Sequence, residues 1–298
     1  MESLENLHFA GTVWRPPHEA LSVLLQVTIG CSHHSCRFCS LYDDLRFGIS
    51  PMEEIEHDLR IIAQWAPRAR RVFLVGANPF VLSYGRLVRI ADRIRDFLPK
   101  VETIGMFARV SDIGAKSDDE LRELRSRGIT GLTIGTETGD AAALAYMNKG
   151  VAPADILREC RRLDVAGIEY SLTYMTGLSG AGLGVWAARA TAELYNLLNP
   201  RIIGIVSLTV FPESRLWRDV GSGAFREAGE RERLEELREF LSRLDIPTVI
   251  SANTVSNLLP QFGHMPDERR RLLFEIECAL SSMDDSTAAG CRRSISHL

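Results

Sequence analysis

Cys31, Cys36 and Cys39 stand at C-x4-C-x2-C within the stretch Gly30-Cys31-Ser32-His33-His34-Ser35-Cys36-Arg37-Phe38-Cys39-Ser40. Thiolates are soft ligands that suit zinc and iron–sulfur clusters. A Cys-x-x-Cys pair lets one turn of chain aim two sulfurs at one centre, and a third cysteine just upstream supplies another corner. The fourth corner has no cysteine nearby in the sequence and is open to water, a distant ligand or a substrate. A structural zinc site asks for a fourth ligand, usually from a second Cys/His pair. His33 and His34 lie inside the loop at a poor spacing, and no second pair follows. Inert buried cysteines are the bland alternative, which a polar loop with three of them disfavours. The spacing therefore favours a [4Fe-4S] cluster with one iron left to bind a small molecule.

The segments that must position this loop alternate between two periods. Ser22–Thr28 is a short apolar, β-branched strand that leads into it. Residues 51–65 start with proline, carry acids in the first turn and repeat apolar residues at helical spacing. Strands are expected at 71–75, 102–107, 131–135, 169–175 and 202–210. Helices are expected at 82–98, 118–127 (closed by Gly128), 140–147, 153–163 and 184–198. Six β–α alternations argue for an α/β fold with a parallel sheet and helices outside it. The strands are almost wholly apolar, as strands covered on both faces are. Periodicity alone leaves both a curled barrel and an open doubly wound sheet in play.

Residues 1–20 form an irregular lead-in, with Trp14-Arg15-Pro16-Pro17 extended or turned. After Pro212 the pattern changes: a Gly-rich bend at 221–223, an amphipathic helix at 231–244, a short strand at 248–251 and a last helix at 267–283. Residues 213–285 are expected to pack on the core as an extension, and 286–298 to fray as a disordered tail. Cys160 and Cys278 fall on amphipathic helices, where core or half-buried positions are expected, and Cys291 lies in the tail.

The chain has 298 residues, a length that suggests one large domain or two small ones and can bury a sizeable core. A net charge of −4 gives no general pull toward nucleic acid or an anionic membrane. No apolar run approaches the length of a membrane span, and the N-terminus lacks the basic and apolar regions of a signal peptide. A cytoplasmic location is the default, and six cysteines with three clustered do not form a disulfide framework.

A strand, a three-cysteine loop with an aromatic before the last cysteine, and then a helix resemble the radical S-adenosylmethionine (radical SAM) superfamily. In particular, Gly30 through Tyr42 resembles its small single-domain members with a G-C-S-H-x-x-C-x-F-C loop. The superfamily's usual spacing is C-x3-C-x2-C, so this chain has one residue more. The likeness continues in Gly135-Thr136-Glu137-Thr138-Gly139, followed by Leu144, Met147, Lys149 and Gly150, which matches G-x-E-[ST]-G…L…M-x-K-G after the fourth strand. It departs at Gly177-Leu178-Ser179-Gly180-Ala181-Gly182, where the family has an acid. It departs again at 251–257, where a histidine of Ser-x-His-x-x-Asn is replaced.

The resemblance implies a partial (β/α)6 TIM-like barrel over 21–212 with a C-terminal helical extension, its site at the C-terminal ends of the strands. It implies a [4Fe-4S] cluster on Cys31, Cys36 and Cys39, and S-adenosylmethionine held by Phe38, by Gly76, Ala77 and Asn78, by Glu137, and by Met175 and Gly177. Glu137 would accept hydrogen bonds from ribose hydroxyls. Arg109, at the end of the third strand, can clamp a carboxylate, and Thr209 can point a hydroxyl inward; both are candidate catalytic residues. The implied partners are a small polar substrate and an electron donor such as flavodoxin or ferredoxin. The implied activity is reductive cleavage of S-adenosylmethionine to a 5′-deoxyadenosyl radical that takes a hydrogen atom from substrate. Two alternatives stay open: a cluster protein that keeps S-adenosylmethionine for a regulatory or scaffold role, and cleavage of another C–S bond.

Overall fold

The computed structural model describes residues 6–295; Met1–Glu5, on which the expected absence of a signal peptide rests, and the last three tail residues lie outside them. The cysteine loop leaves β1 (Val23–Gln26) and is bracketed by a two-stranded antiparallel ribbon, β2 (Thr28–Ile29) and β3 (Gly48–Ile49). Helix α1 (Met52–Trp65) follows, with Glu53 and Glu54 in its first turn and Ile55, Leu59 and Ile62 on its buried face. Then come β4 (Arg71–Val75), α2 (Tyr84–Phe97), β5 (Thr103–Ala108), α3 (Val110–Gly114) and α4 (Asp118–Ser126). A capping box starts α4: Glu120 N donates to Ser117 Oγ at 3.2 Å, and Ser117 N to Glu120 Oε2 at 2.8 Å.

The chain goes on through β6 (Ile129–Glu137), α5 (Ala141–Tyr146), α6 (Pro153–Ala166), β7 (Tyr170–Thr176), α7 (Gly184–Tyr195) and β8 (Ile202–Ser207). Beyond them lie α8 (Arg215–Ser222), α9 (Glu230–Arg243), β9 (Thr248–Ser251), β10 (Phe262–Met265), α10 (Arg269–Ser282) and α11 (Asp285–Arg293). The sheet order is β1-β4-β5-β6-β7-β8-β9-β10. Strands β1 and β4 to β8, each followed by helix, give the α/β order of a partial (β/α)6 barrel. The extension adds β9, parallel to β8, and β10, antiparallel to β9.

Two compact units divide the chain. The first comprises residues 1–34, 42–135 and 161–170, and its core draws on buried residues of β4, β5, α1 and α2. The second comprises 35–41, 136–160 and 171–298. An apolar cluster of Met147, Leu178, Leu208, Leu216 and Phe225 lies in it, with Phe38 and Met175 packed against that cluster.

Three expectations need correction. The sixth strand ends at Ser207, not 210, so Thr209 lies beyond it. The tail is not frayed over its described length: 285–293 is helical, started by Asp284, which accepts from Thr287 N at 2.9 Å, and anchored by Arg292 on Glu230 at 2.7 and 2.9 Å. Cys278 is exposed rather than packed; Cys160 is buried as its helix face requires. No helix among the described residues is long and apolar enough to cross a membrane.

Candidate functional site

In the first unit, Gly30 opens the cysteine loop with φ 64°, a region glycine enters at little cost. A side chain there would meet the backbone of Leu45 and Arg46 at 3.0 Å. Gly76, at the end of β4, has φ 127°, and a Cβ on it would fall 2.0 Å from Thr28 Oγ1 and 2.7 Å from Thr28 O. Glycine at 76 therefore lets β2 and the end of β4 pass closely, and Ala77 N donates to Gly30 O at 3.3 Å. Asn78 is 1% exposed. Its Oδ1 accepts from Ser32 N at 3.2 Å, and its Nδ2 donates to Ser32 Oγ at 2.8 Å and to Asp112 Oδ2 at 2.9 Å.

Asp112 Oδ2 also accepts from Arg109 N at 2.9 Å, which places Arg109 at the start of α3 with its backbone engaged and its side chain half-buried. Burial pushes the Asp112 carboxyl above its usual range, against the pull of the Asn78 amide and the Arg109 N–H. Lys116 Nζ donates to Phe80 O at 2.6 Å and Asp112 O at 3.1 Å and lies 4.2 Å from the centre of the Phe80 ring. Burial lowers its pKa to about 8. His34, at φ 46°, holds Asp43 at 3.5 Å.

In the second unit the rest of the loop is held through its backbone. Arg37 N donates to Met147 O at 3.0 Å, Leu216 N to Arg37 O at 2.8 Å, and Asn148 Nδ2 to Ser35 O at 3.1 Å. Phe38 lies in the apolar cluster, with Lys149 Nζ 5.8 Å from its ring centre. Glu137, the last residue of β6, is buried and sits at φ 65°, a conformation that non-glycine residues adopt at a cost and that concentrates at functional sites. Its Oε1 takes Lys149 Nζ at 2.6 Å and its Oε2 accepts from Thr173 Oγ1 at 2.7 Å.

Met175 lies against the apolar cluster. Gly177 N donates to Glu236 Oε2 at 2.8 Å, and a Cβ on Gly177 would face the Arg233 side chain at 3.0 Å; the glycine is packed by α9. Glu236 Oε1 accepts from Tyr174 OH at 2.8 Å. Burial raises the Glu236 carboxyl to about 7, with the Gly177 N–H, Tyr174 and Arg233 pulling the other way. Thr209 Oγ1 accepts from Arg292 Nη1 at 3.0 Å. Sequence reasoning did not find Asp112, Lys116, Glu236 or Arg292 as site partners. Asp112 is marked locally only as the third residue of its helix, bonded back to Arg109 N; Asn78, Phe80, Tyr174, Gly177, Glu230 and Thr209 meet these residues through the fold.

Cys31, Cys36 and Cys39 are all half-buried. Three thiols on one loop make a soft donor set that fits an iron–sulfur cubane. Among the described residues, no group of three ligating side chains is gathered closely enough to hold a metal ion.

The sequence profile described as the Radical SAM superfamily matches residues 25–183, from β1 through the loop after β7. None of the curated proteins matches the chain. Among solved structures, the chain is similar to the radical S-adenosylmethionine methyltransferase TsrM from Kitasatospora setae, with cobalamin and a [4Fe-4S] cluster bound. The identity is 17%, coverage is 68% of this chain and 39% of that one, and the TM-score is 0.55. Elp3 from Methanocaldococcus infernus gives 12% identity, coverage of 89% and 65%, and a TM-score of 0.54. Methylornithine synthase (PylB) gives 14% identity, coverage of 91% and 85%, and a TM-score of 0.53. At these identities the likeness is one of fold, and the chain spans well under half the length of the TsrM chain.

Proposed function

The chain belongs to the radical SAM superfamily of enzymes, whose cofactors are a [4Fe-4S] cluster and S-adenosylmethionine, and from that premise we propose that it cleaves S-adenosylmethionine reductively to take a hydrogen atom from a small polar substrate. When bound, the cluster supplies one electron that splits the sulfonium into methionine and a 5′-deoxyadenosyl radical. Cys31, Cys36 and Cys39 would hold the cluster and leave one corner to the amino acid end of S-adenosylmethionine. The carbonyls of the Gly76-Ala77-Asn78 segment would face its amino group. Phe38 and Met175 would supply apolar contact to the nucleoside, with Gly177 beside them on the loop after β7. Arg109 and Thr209 would meet the substrate, and a flavodoxin or ferredoxin would deliver the electron.

The observation that carries this reading is Glu137: a buried carboxylate at the end of β6, held at positive φ, inside a stretch that matches the family. Both oxygens already have protein partners, which fix their direction. Each carboxylate oxygen retains a further lone pair for a ribose hydroxyl. Lys149 Nζ pairs with it at 2.6 Å and, like it, is buried.

Anaerobic reconstitution tests the proposal. About four irons per chain are expected, the stoichiometry of one cubane. Replacing Cys31, Cys36 or Cys39 by Ala should abolish iron uptake, while Cys160→Ala should not. Dithionite and S-adenosylmethionine should then yield 5′-deoxyadenosine. No iron in the folded chain would overturn the cluster. No nucleoside above the Cys31→Ala control would leave a cluster protein without turnover.

A further inference from the structure

The cysteine loop is one residue longer than the family's usual spacing, so the chain needs something to fix where its first sulfur stands. We propose that Asn78 and Asp112 are positioning residues that clamp Ser32, and with it the Cys31 end of the loop; the inference rests on the cluster reading only for what the loop is positioned to do.

The geometry has three parts. First, the Asn78 amide grips residue 32 from both ends, accepting its N–H at 3.2 Å and donating to its Oγ at 2.8 Å. Two bonds to one residue fix its direction as well as its place, which a single bond leaves free to swing. Second, the amide's other hydrogen goes to Asp112 Oδ2 at 2.9 Å, and that same oxygen accepts the Arg109 N–H at 2.9 Å. The ends of β4 and β5 are thereby tied to the residue after Cys31. Third, Asn78 and Asp112 are 1% and 4% exposed, so water does not compete for these bonds.

The Asn78 side chain thus spends its oxygen and both hydrogens on the protein. Its part is to place the loop, not to touch the cofactor, which the carbonyls of the same segment remain able to do. Clamping residue 32 confines the slack of the longer span to 33–35. His34 sits there at φ 46° with its imidazole on Asp43 at 3.5 Å, a turn that takes up the extra length. The backbone that carries the first sulfur is set before any iron arrives.

Hydrogen exchange on the full chain without metal tests the clamp directly. Asn78→Ala should speed exchange at the Ser32 amide roughly five- to tenfold, the factor expected for one lost hydrogen bond, with circular dichroism unchanged. Asp112→Ala should speed it less. Asp112→Asn should restore wild-type exchange, because its Oδ1 can still accept from Asn78 and Arg109. Ser32→Ala serves if Asn78→Ala fails to fold, since it removes one of the two bonds from a half-buried loop. After reconstitution, Asn78→Ala should still take up about four irons, but the electron paramagnetic resonance lines of its reduced cluster should broaden or shift, and Asp112→Asn should return them. Unchanged Ser32 exchange in folded Asn78→Ala would overturn the clamp. Altered exchange with an unaltered cluster spectrum would overturn its part in placing the cluster. A wild-type chain that takes up no iron would instead sink the cluster reading, while the exchange result would stand apart from it.

Discussion

Beside the ends of β4 and β5 the first unit buries an amine, Lys116; beside the end of β7 the second unit buries a carboxyl group, Glu236. Lys116 donates to two backbone carbonyls, and Glu236 accepts from a backbone N–H and a tyrosine. Both are held away from their ordinary pKa by burial, toward the neutral form, but this makes their pH windows opposite. The Lys116 value falls from 10.5 to about 8, so its contribution is whole above 10.5 and is lost as pH drops through 8. The Glu236 value rises from 4.5 to about 7, so its contribution is whole below 4.5 and is lost as pH climbs through 7. These strand ends are thus fastened by opposite means, and the interval around neutral pH is where neither group gives its full contribution.

Glycine substitutions should separate the units most. Gly76→Ala is expected to cost about 4 kcal/mol, from backbone strain and overpacking together, because its methyl would meet Thr28 backbone. Gly177→Ala should cost about 2 kcal/mol, since what it meets is the movable Arg233 side chain. Equal shifts in urea midpoint would break the contrast. Next in size is the acid limb. Wild-type stability should fall by on the order of 3 kcal/mol between pH 4.5 and 7 on account of Glu236, and Glu236→Gln, whose amide can still serve Tyr174 and Gly177, should remove that slope. A slope that survives the substitution would assign it to another group.

On the basic side, wild-type stability should rise by about 2 kcal/mol between pH 8 and 10.5, after allowing for partial solvent access; Lys116→Met should flatten that rise in denaturant titrations. The smallest effect is expected between the two anchors of the cysteine loop. Replacing His33 and His34 together by Ala should change stability by no more than about 0.5 kcal/mol and leave the iron count alone. If iron vanished from the folded double variant, a histidine would be a ligand and the open fourth corner would go.

Much of the fold was legible because apolar runs and caps are local. Arg71–Val75 is the strand its letters suggest, and Gly128 closes its helix at φ 74°. The cysteines and Glu137 were legible as motifs. Their supports were not: Asn78 reaches Asp112 across 34 positions, and Gly177 reaches Glu236 across 59. Nothing in either neighbourhood records such a partner. Lys149 stood in the motif, but that it pairs with Glu137 had to be seen in space. The tail misled for a related reason: its polar letters suit a frayed end, while one residue, Arg292, pins it to Glu230.

Helix α9 has a consequence for how such chains can be recombined. The stretch shared with the family ends at residue 183, yet Glu236 and Arg233 hang from a helix well past it and fasten Tyr174, Gly177 and Leu208. A chimera joined at Pro212, with the extension of another member grafted on, would inherit the shared half intact and still leave a tyrosine hydroxyl, an amide and a carbonyl without the partners that bury them. In this chain the end of β7 and α9 are therefore one packed unit, and an exchange that keeps these bonds has to carry both.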